Sequence, residues 1–143
     1  SGQQIMTSWI RQVYNAVKKS GSERELAVRI PASIEGCLQV GLDVCAWMKQ
    51  GIVDVVIGQT FSGPELLDST TDFSALVEAA KGTDCRIHAT LQSHVDSDRL
   101  GEGTIEMIRA AACNYWAQGV DGLYLAPWCG IWLKKTATSP VRG

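Results

Sequence analysis

Apolar residues follow two different spacings along the chain, and these spacings predict its secondary structure. Near the N-terminus, five apolar residues keep the three-and-four spacing of one helix face: Ile5, Trp9, Ile10, Val13 and Val17. This helix is predicted to end near Ser20-Gly21. A short alternating run, LAVRIP at positions 26–31, then predicts the first strand.

Short β-branched runs alternate with helical segments through the rest of the chain. Ser33 and Asp43 each stand at the predicted start of a helix, since a short polar side chain can accept a hydrogen bond from the first turn. The later elements are predicted in this order: strand 53–58, helix 73–81, strand 85–91, helix 104–118 and strand 122–126. Strands that alternate with helices predict a parallel sheet joined by right-handed crossovers.

The two kinds of connection differ in length. The links from helix to strand are short, at positions 50–52, 82–84 and 118–121. Two of the links from strand to helix are long and polar, at 59–72 and 93–103. Because ligands of α/β proteins collect at the carboxyl ends of parallel strands, we expect a site at the ends of the second and third strands.

Polar residues on one side of the predicted strands favour a barrel over an open sheet. The side that carries Arg29, His88, Thr90 and Tyr124 is polar, and the opposite side is apolar. An open, doubly wound sheet needs apolar residues on both faces, whereas a barrel turns one face inward. The predicted fold class is therefore α/β, with four parallel βα units that form half of a TIM (β/α)₈ barrel.

This half-barrel domain is expected to span residues 1–133, and residues 134–143 are expected to form a polar, disordered tail because they lack periodicity. Since Met6 falls inside the first predicted helix, we expect the sequence to begin within a longer protein.

Composition narrows the classes of function. The formal net charge is −2 and the basic residues are scattered, which argues against a nucleic-acid partner. No apolar run approaches the ~18 residues of a membrane span, so no membrane association is expected. The five cysteines form no C-x-x-C pair, which favours buried reduced thiols and a cytoplasmic location. No nucleotide-binding glycine motif is present, and no cofactor is predicted.

Three stretches of the chain resemble bacterial (β/α)₈ proteins that are similar to glycoside hydrolases. They are LAVRIPASIEGCLQVGLDVCAWMKQGIVDVVIG, AAKGTDCRIHATL and IRAAACNYWAQGVDGLYL, within residues 26–127. The resemblance implies that these strands are the fifth to eighth of a barrel. It also implies a carbohydrate-related site and a parent protein that hydrolyses glycosidic bonds.

The resemblance supplies no catalytic residues. Glycosidic cleavage normally uses two carboxyl groups, which in many barrel glycosidases follow the fourth and seventh strands. The fourth strand would be missing here, and the candidate for the seventh, RIHATLQ, ends without a carboxylate. The nearest carboxylates are Asp96 and Asp98 in the loop. We therefore expect a fragment that is not catalytically competent alone.

Six residues are candidates for substrate binding, through hydrogen bonds or aromatic stacking on a sugar: Arg29, His88, Gln92, His94, Tyr124 and Trp128. Each also has a structural interpretation, such as an internal ion pair for Arg29 or packing for Tyr124. Four large residues on predicted helices are expected in the core instead: Trp47, Met48, Tyr115 and Trp116. His88 and His94 by themselves do not amount to a metal site, and none is predicted.

Two functional hypotheses remain open. The first is a fragment of a carbohydrate-active barrel. The alternative is a non-catalytic half-barrel that binds a small ligand or assembles with itself. Because both edges and one face of a half-barrel are open, we expect a homodimer that covers the open face.

Overall fold

A computed structural model describes residues 1–60, 66–95 and 101–126. Over these ranges it contains five helices and four strands, which we number in chain order. They are α1 (Gly2–Ser20), β1 (Ala27–Pro31), α2 (Ile34–Gln39), α3 (Val44–Lys49), β2 (Val55–Gln59), α4 (Ser74–Ala80), β3 (Arg86–Leu91), α5 (Ile105–Ala117) and β4 (Gly122–Leu125).

The four strands form one parallel sheet in the order β1-β2-β3-β4. One register row runs from Arg29 through Ile57 and His88 to Gly122. The prediction of an α/β fold with four parallel βα units is confirmed. No helix in the described ranges has both the length and the apolar character that crossing a bilayer requires.

The predicted helix starts agree with the cap geometry. The Ser33 hydroxyl accepts a hydrogen bond from the Gly36 N–H at 3.0 Å, and the Asp43 carboxylate accepts one from the Ala46 N–H at 3.0 Å. Each satisfies an N–H that the first turn of a helix leaves without a backbone partner. At the other end of α3, Gly51 has a φ of 64°, which favours glycine and allows the abrupt turn into β2.

The hydrophobic core lies between the helices and one face of the sheet. Gly58 belongs to this face, since a Cβ added there would lie 2.9 Å from the Phe73 ring. The largest buried side chains include Trp47, Phe73 and Leu76. Along β2 the opposite face is buried as well, at both Ile57 and Gln59. The face opposite the helices is therefore buried along the central strand β2, whereas on the edge strands β1 and β4 it is exposed at Arg29 and Tyr124.

Three apolar residues on predicted helices are exposed in the structure. Trp116 was expected in the core with Tyr115, but Trp116 is 48% exposed while Tyr115 is buried. On α1, Ile10 is buried, whereas Ile5 and Trp9 face outward. Neighbouring elements cover only a narrow stripe of each of these outer helices, so the remaining apolar side chains stay uncovered.

The cysteines differ in exposure. Cys37 and Cys85 are buried, and burial raises the pKa of each thiol to about 11. Cys113, which was expected to be buried, is exposed on α5. Cys129 and the predicted tail lie outside the described residues.

Asp54 holds the starts of three strands at a common level. Its carboxylate accepts a hydrogen bond from the Leu26 N–H at 2.7 Å and pairs with Lys18 of α1 at 3.0 Å. Its own N–H donates to the Leu26 carbonyl, and its carbonyl accepts from the Arg86 N–H, both at 3.0 Å. The Asp121 carboxylate repeats this arrangement by accepting from the Ile87 N–H at 2.8 Å.

We expect Asp54→Ala to destabilise the fold by about 2 kcal/mol, because it removes a charge-assisted hydrogen bond and leaves the Leu26 N–H without its partner. Urea unfolding followed by circular dichroism measures the change. Asp84→Ala is the matched control, since Asp84 is an exposed aspartate in another helix-to-strand link. An equal effect of the two substitutions would show that the Asp54 contacts contribute nothing specific.

Candidate functional site

A cavity of about 330 Å³ lies at the carboxyl ends of β2 and β3. Five of its lining residues are glutamines or threonines, whose side chains are uncharged and form hydrogen bonds: Gln59, Thr60, Thr71, Thr90 and Gln92. The other described lining residues are Leu66, Leu67, Asp68, Phe73 and Tyr115. The cavity is therefore mostly apolar or neutral, with a single carboxylate among the described residues that line it.

The sheet register places the polar groups of the cavity. Gly58 pairs with Ala89, so the next residue on each strand, Gln59 and Thr90, are neighbours on the same face. Gln92 comes two residues after Thr90 and lies just beyond the end of β3. The side chains of Thr90 and Gln92 therefore project from the same side of the chain.

Two of these side chains are buried without a hydrogen-bond partner among the described residues. Thr90 and Gln92 are each 6% exposed, yet the Thr90 hydroxyl and both amide atoms of Gln92 are unpaired there. A buried polar group without a partner costs about 1–3 kcal/mol, and native structures contain few of them. Unpaired groups that line a cavity are typical of a binding site.

A loop segment with its own hydrogen bonds forms the opposite wall. One carboxylate oxygen of Asp68 accepts from the N–H and the hydroxyl of Thr70, at 2.7 and 2.6 Å. The other accepts from the Thr71 hydroxyl at 2.9 Å. The Thr70 hydroxyl is the main cause that lowers the pKa of Asp68, with further contributions from the Thr70 N–H and Thr71. Asp68 is therefore ionised at neutral pH.

Helix α5 fixes this wall in place. The Tyr115 hydroxyl donates to the Asp68 carbonyl, and burial raises the pKa of Tyr115 to about 12. The Gln118 amide, just after α5, accepts from the Phe73 N–H at 2.6 Å and donates to the Thr71 carbonyl at 3.0 Å. The rings of Phe73 and Tyr115 meet edge to face, with centroids 4.9 Å apart.

Of the six predicted binding residues, Gln92 lines the cavity. His94 lies beside it: its carbonyl accepts from the Leu67 N–H at 2.7 Å, and its Nδ1 is 3.2 Å from the Ser93 hydroxyl. Tyr124 pairs with Thr90 across the sheet but is 37% exposed and is not among the residues that line the cavity. Trp128, like Asp96 and Asp98, lies outside the described residues.

Arg29 and His88 lie on the open face below the cavity. They share a register row with Ile57 between them, which separates them by roughly 10 Å. Arg29 is exposed and forms no ion pair within the described part of the chain. Burial, followed by the charge of Arg86, lowers the pKa of the half-buried His88. The His88 ring lies over Gly122, where an added Cβ would be 2.6 Å from Nε2.

No pattern in the sequence distinguishes most of the lining residues from their neighbours. The loop at 59–72 was predicted to border the site, but Asp68 and Thr71 did not stand out within it. Phe73, at the residue before α4, and Tyr115, on α5, are buried in the core and also border the cavity. The signal for Gln59 was its position directly after a β-branched run.

In residues 1–60, 66–95 and 101–126, no three His, Cys, Asp or Glu side chains are arranged to hold a metal ion. No protein-family model matches this chain, and a search of the curated proteins gives no match. The chemistry of the cavity is therefore the basis for assigning a function.

The hydrogen bonds to Asp68 predict a pH dependence. Because the folded-state pKa of Asp68 is below its unfolded value of about 3.9, its contribution to stability is present above that pH. The contribution is lost as the pH falls through the folded-state pKa. We expect Asp68→Asn to be less stable than the wild type at pH 7 and to lose less stability on acidification to pH 3.

Urea unfolding at the two pH values tests this expectation. The control is Asp84→Asn, at an exposed aspartate that has no hydrogen bond among the described residues. If the free energy of unfolding fell equally between pH 7 and pH 3 in the wild type and in Asp68→Asn, the role assigned to the Asp68 carboxylate would be contradicted.

Proposed function

We propose that the cavity at the ends of β2 and β3 binds a neutral carbohydrate, and that the chain is half of a glycoside-hydrolase-like (β/α)₈ barrel. The observation that carries the proposal is that the side chains of Thr90 and Gln92 are buried and have no hydrogen-bond partner among the described residues. Their groups can accept and donate hydrogen bonds, as neighbouring hydroxyl groups of a sugar require.

The electrostatics favour a neutral ligand. None of the described lining residues is Lys, Arg or His, so an anionic ligand would find no counter-charge there. Asp68 is ionised but already accepts hydrogen bonds from Thr70 and Thr71. The amide and hydroxyl side chains of the cavity are uncharged, and they can form hydrogen bonds with the uncharged hydroxyl groups of a ligand.

Size and shape agree with a sugar ring. A volume of about 330 Å³ is at the lower end of the range of small-molecule sites, roughly 300–1,000 Å³. Leu66, Leu67 and Phe73 provide apolar surface against which the C–H groups of a pyranose can pack. The cavity also lies at the carboxyl ends of the strands, where (β/α)₈ proteins bind their substrates.

Several features support the half-barrel. Helices pack on one face of the sheet, and the opposite face carries Arg29, His88 and Tyr124, as the interior of a barrel would near its mouth. The role that we propose for this chain is binding, because Asp68 is the one carboxylate among the described residues that line the cavity and hydrolysis needs two. Hydrolysis would belong to the parent protein.

Two substitutions test the carbohydrate site. We expect Thr90→Val and Gln92→Leu each to weaken binding of a neutral monosaccharide at least tenfold, about 1.4 kcal/mol. We also expect both variants to be as stable as the wild type or more stable, because an unpaired buried polar group is removed. Calorimetry with glucose, galactose, mannose and their methyl glycosides measures binding, and urea unfolding measures stability.

Gln12→Leu is the matched control, since Gln12 is an exposed residue of α1 far along the sequence from the cavity. It should leave sugar binding unchanged. Sugar binding that survives both Thr90→Val and Gln92→Leu would place the ligand elsewhere. A wild type that binds no sugar of the panel would remove the carbohydrate proposal.

A second copy of the chain is the partner that we propose for the open sides of the sheet. Leu125 is 54% exposed although it pairs with the buried Leu91 on the helix-facing side. Trp9 on α1 and Trp116 on α5 are exposed at the two flanks. Each copy contributes four strands, each preceded by one or two helices, so two copies supply the eight strands that a closed barrel contains.

We expect sedimentation velocity at micromolar concentration to show a dimer. Trp9→Glu should shift the protein toward monomer, because a charge would have to be buried in the interface. Lys19→Glu, on the same helix, is the control for the change in charge. A compact wild-type monomer at these concentrations would rule out the second copy as the partner.

A further inference from the structure

A second cavity adjoins the first and extends the site toward β1. Its volume is about 470 Å³, and four of its lining residues also line the first cavity: Gln59, Thr60, Asp68 and Thr71. We infer that the site binds an oligosaccharide of at least two sugar rings, an inference that rests on the proposed carbohydrate function. We name the cavity that contains Thr90 and Gln92 the inner subsite, and the cavity beside β1 the outer subsite.

The shared wall is held in place by hydrogen bonds on both sides. The hydroxyls of Thr60 and Thr71 lie 3.0 Å apart, which joins the end of β2 to the loop before α4. The Gln59 carbonyl accepts from the Ala32 N–H at 2.9 Å, which joins the end of β2 to the residue after β1. The two subsites therefore have a fixed relation to each other, as two linked rings require.

The two subsites differ in chemistry. The inner subsite contains the Thr90 and Gln92 side chains, which have no partner in the described part of the chain and could form hydrogen bonds with an enclosed sugar ring. The outer subsite is formed in part by Pro31, Ala32 and Gly36, which offer an apolar surface, and the carboxylates of Asp68 and Asp72 also line it. Such a surface complements the C–H face of a second ring, while Thr60 and Thr71 lie at the level of the linkage.

Gly36 keeps the outer subsite open. A Cβ added there would lie 3.5 Å from the Pro31 Cβ and 3.5 Å from the Ser33 hydroxyl, an ordinary contact distance, so alanine fits without displacement. Gly36 lies within α2, where a larger side chain suits the backbone. A leucine at this position would extend beyond the Cβ into the space that the second ring needs.

The experiment compares disaccharides with methyl glycosides by calorimetry. The probes are cellobiose, maltose and lactose, together with methyl α- and β-glucosides and methyl β-galactoside. We expect at least one disaccharide to bind the wild type at least tenfold more tightly than its matching methyl glycoside. Gly36→Leu should abolish this advantage and leave the affinity for the methyl glycoside unchanged, and Gly36→Ala should keep it.

Equal affinities for the disaccharides and the methyl glycosides in the wild type would overturn the two-ring inference, whatever the variants do. So would a folded Gly36→Leu variant that keeps the full advantage. Both results leave the proposed function intact as long as the methyl glycoside binds and Gln92→Leu weakens it. If no sugar binds, the proposed function itself fails.

Discussion

The starts of the strands are fixed by the Asp54 carboxylate, and the geometry at the other end of the sheet depends on this constraint. The Asp54 carboxylate accepts a hydrogen bond from the Leu26 N–H and pairs with Lys18. The backbone of Asp54 also forms hydrogen bonds with Leu26 and Arg86, next to the two neighbouring strands. Because side chains alternate between faces along a strand, a slip of one residue would turn Thr90 away from the cavity. The register at the amino ends thus determines which groups face the cavity at the carboxyl ends.

Polar groups at the two ends of the sheet differ in their hydrogen bonding. Polar groups at the amino ends are paired, as the Asp54 and Asp121 carboxylates show. At the carboxyl ends, Thr90 and Gln92 are buried without partners in the described structure, at a cost in stability. Parallel βα proteins commonly divide stability and binding in this way between the bottom and the top of the strands. The hydrogen bonds at the amino ends of the strands offset the cost in stability of the buried polar groups at the carboxyl ends.

Local chemistry explains what could be predicted from the sequence. Ser33 and Asp43 marked their helices correctly because a cap depends on residues three positions away. The wall of the cavity could not be predicted, since the Thr71 carbonyl receives its hydrogen bond from Gln118, 47 residues later. Trp116 was misplaced for a similar reason: periodicity identifies an apolar residue but not whether a neighbouring element exists to cover it. The position of Gln92 beside the cavity could be predicted, because this residue directly follows a strand that precedes a long loop.

Helix α5 connects the cavity with the outer surface of the protein. Its Tyr115 and the adjoining Gln118 hold the loop that contains Asp68 and Thr71, and the exposed Trp116 lies between them on the helix. A molecule that packs on Trp116 would act on the same helical turn that positions the cavity wall. Ligand and partner would then be thermodynamically linked, and each would change the affinity of the other by the same factor.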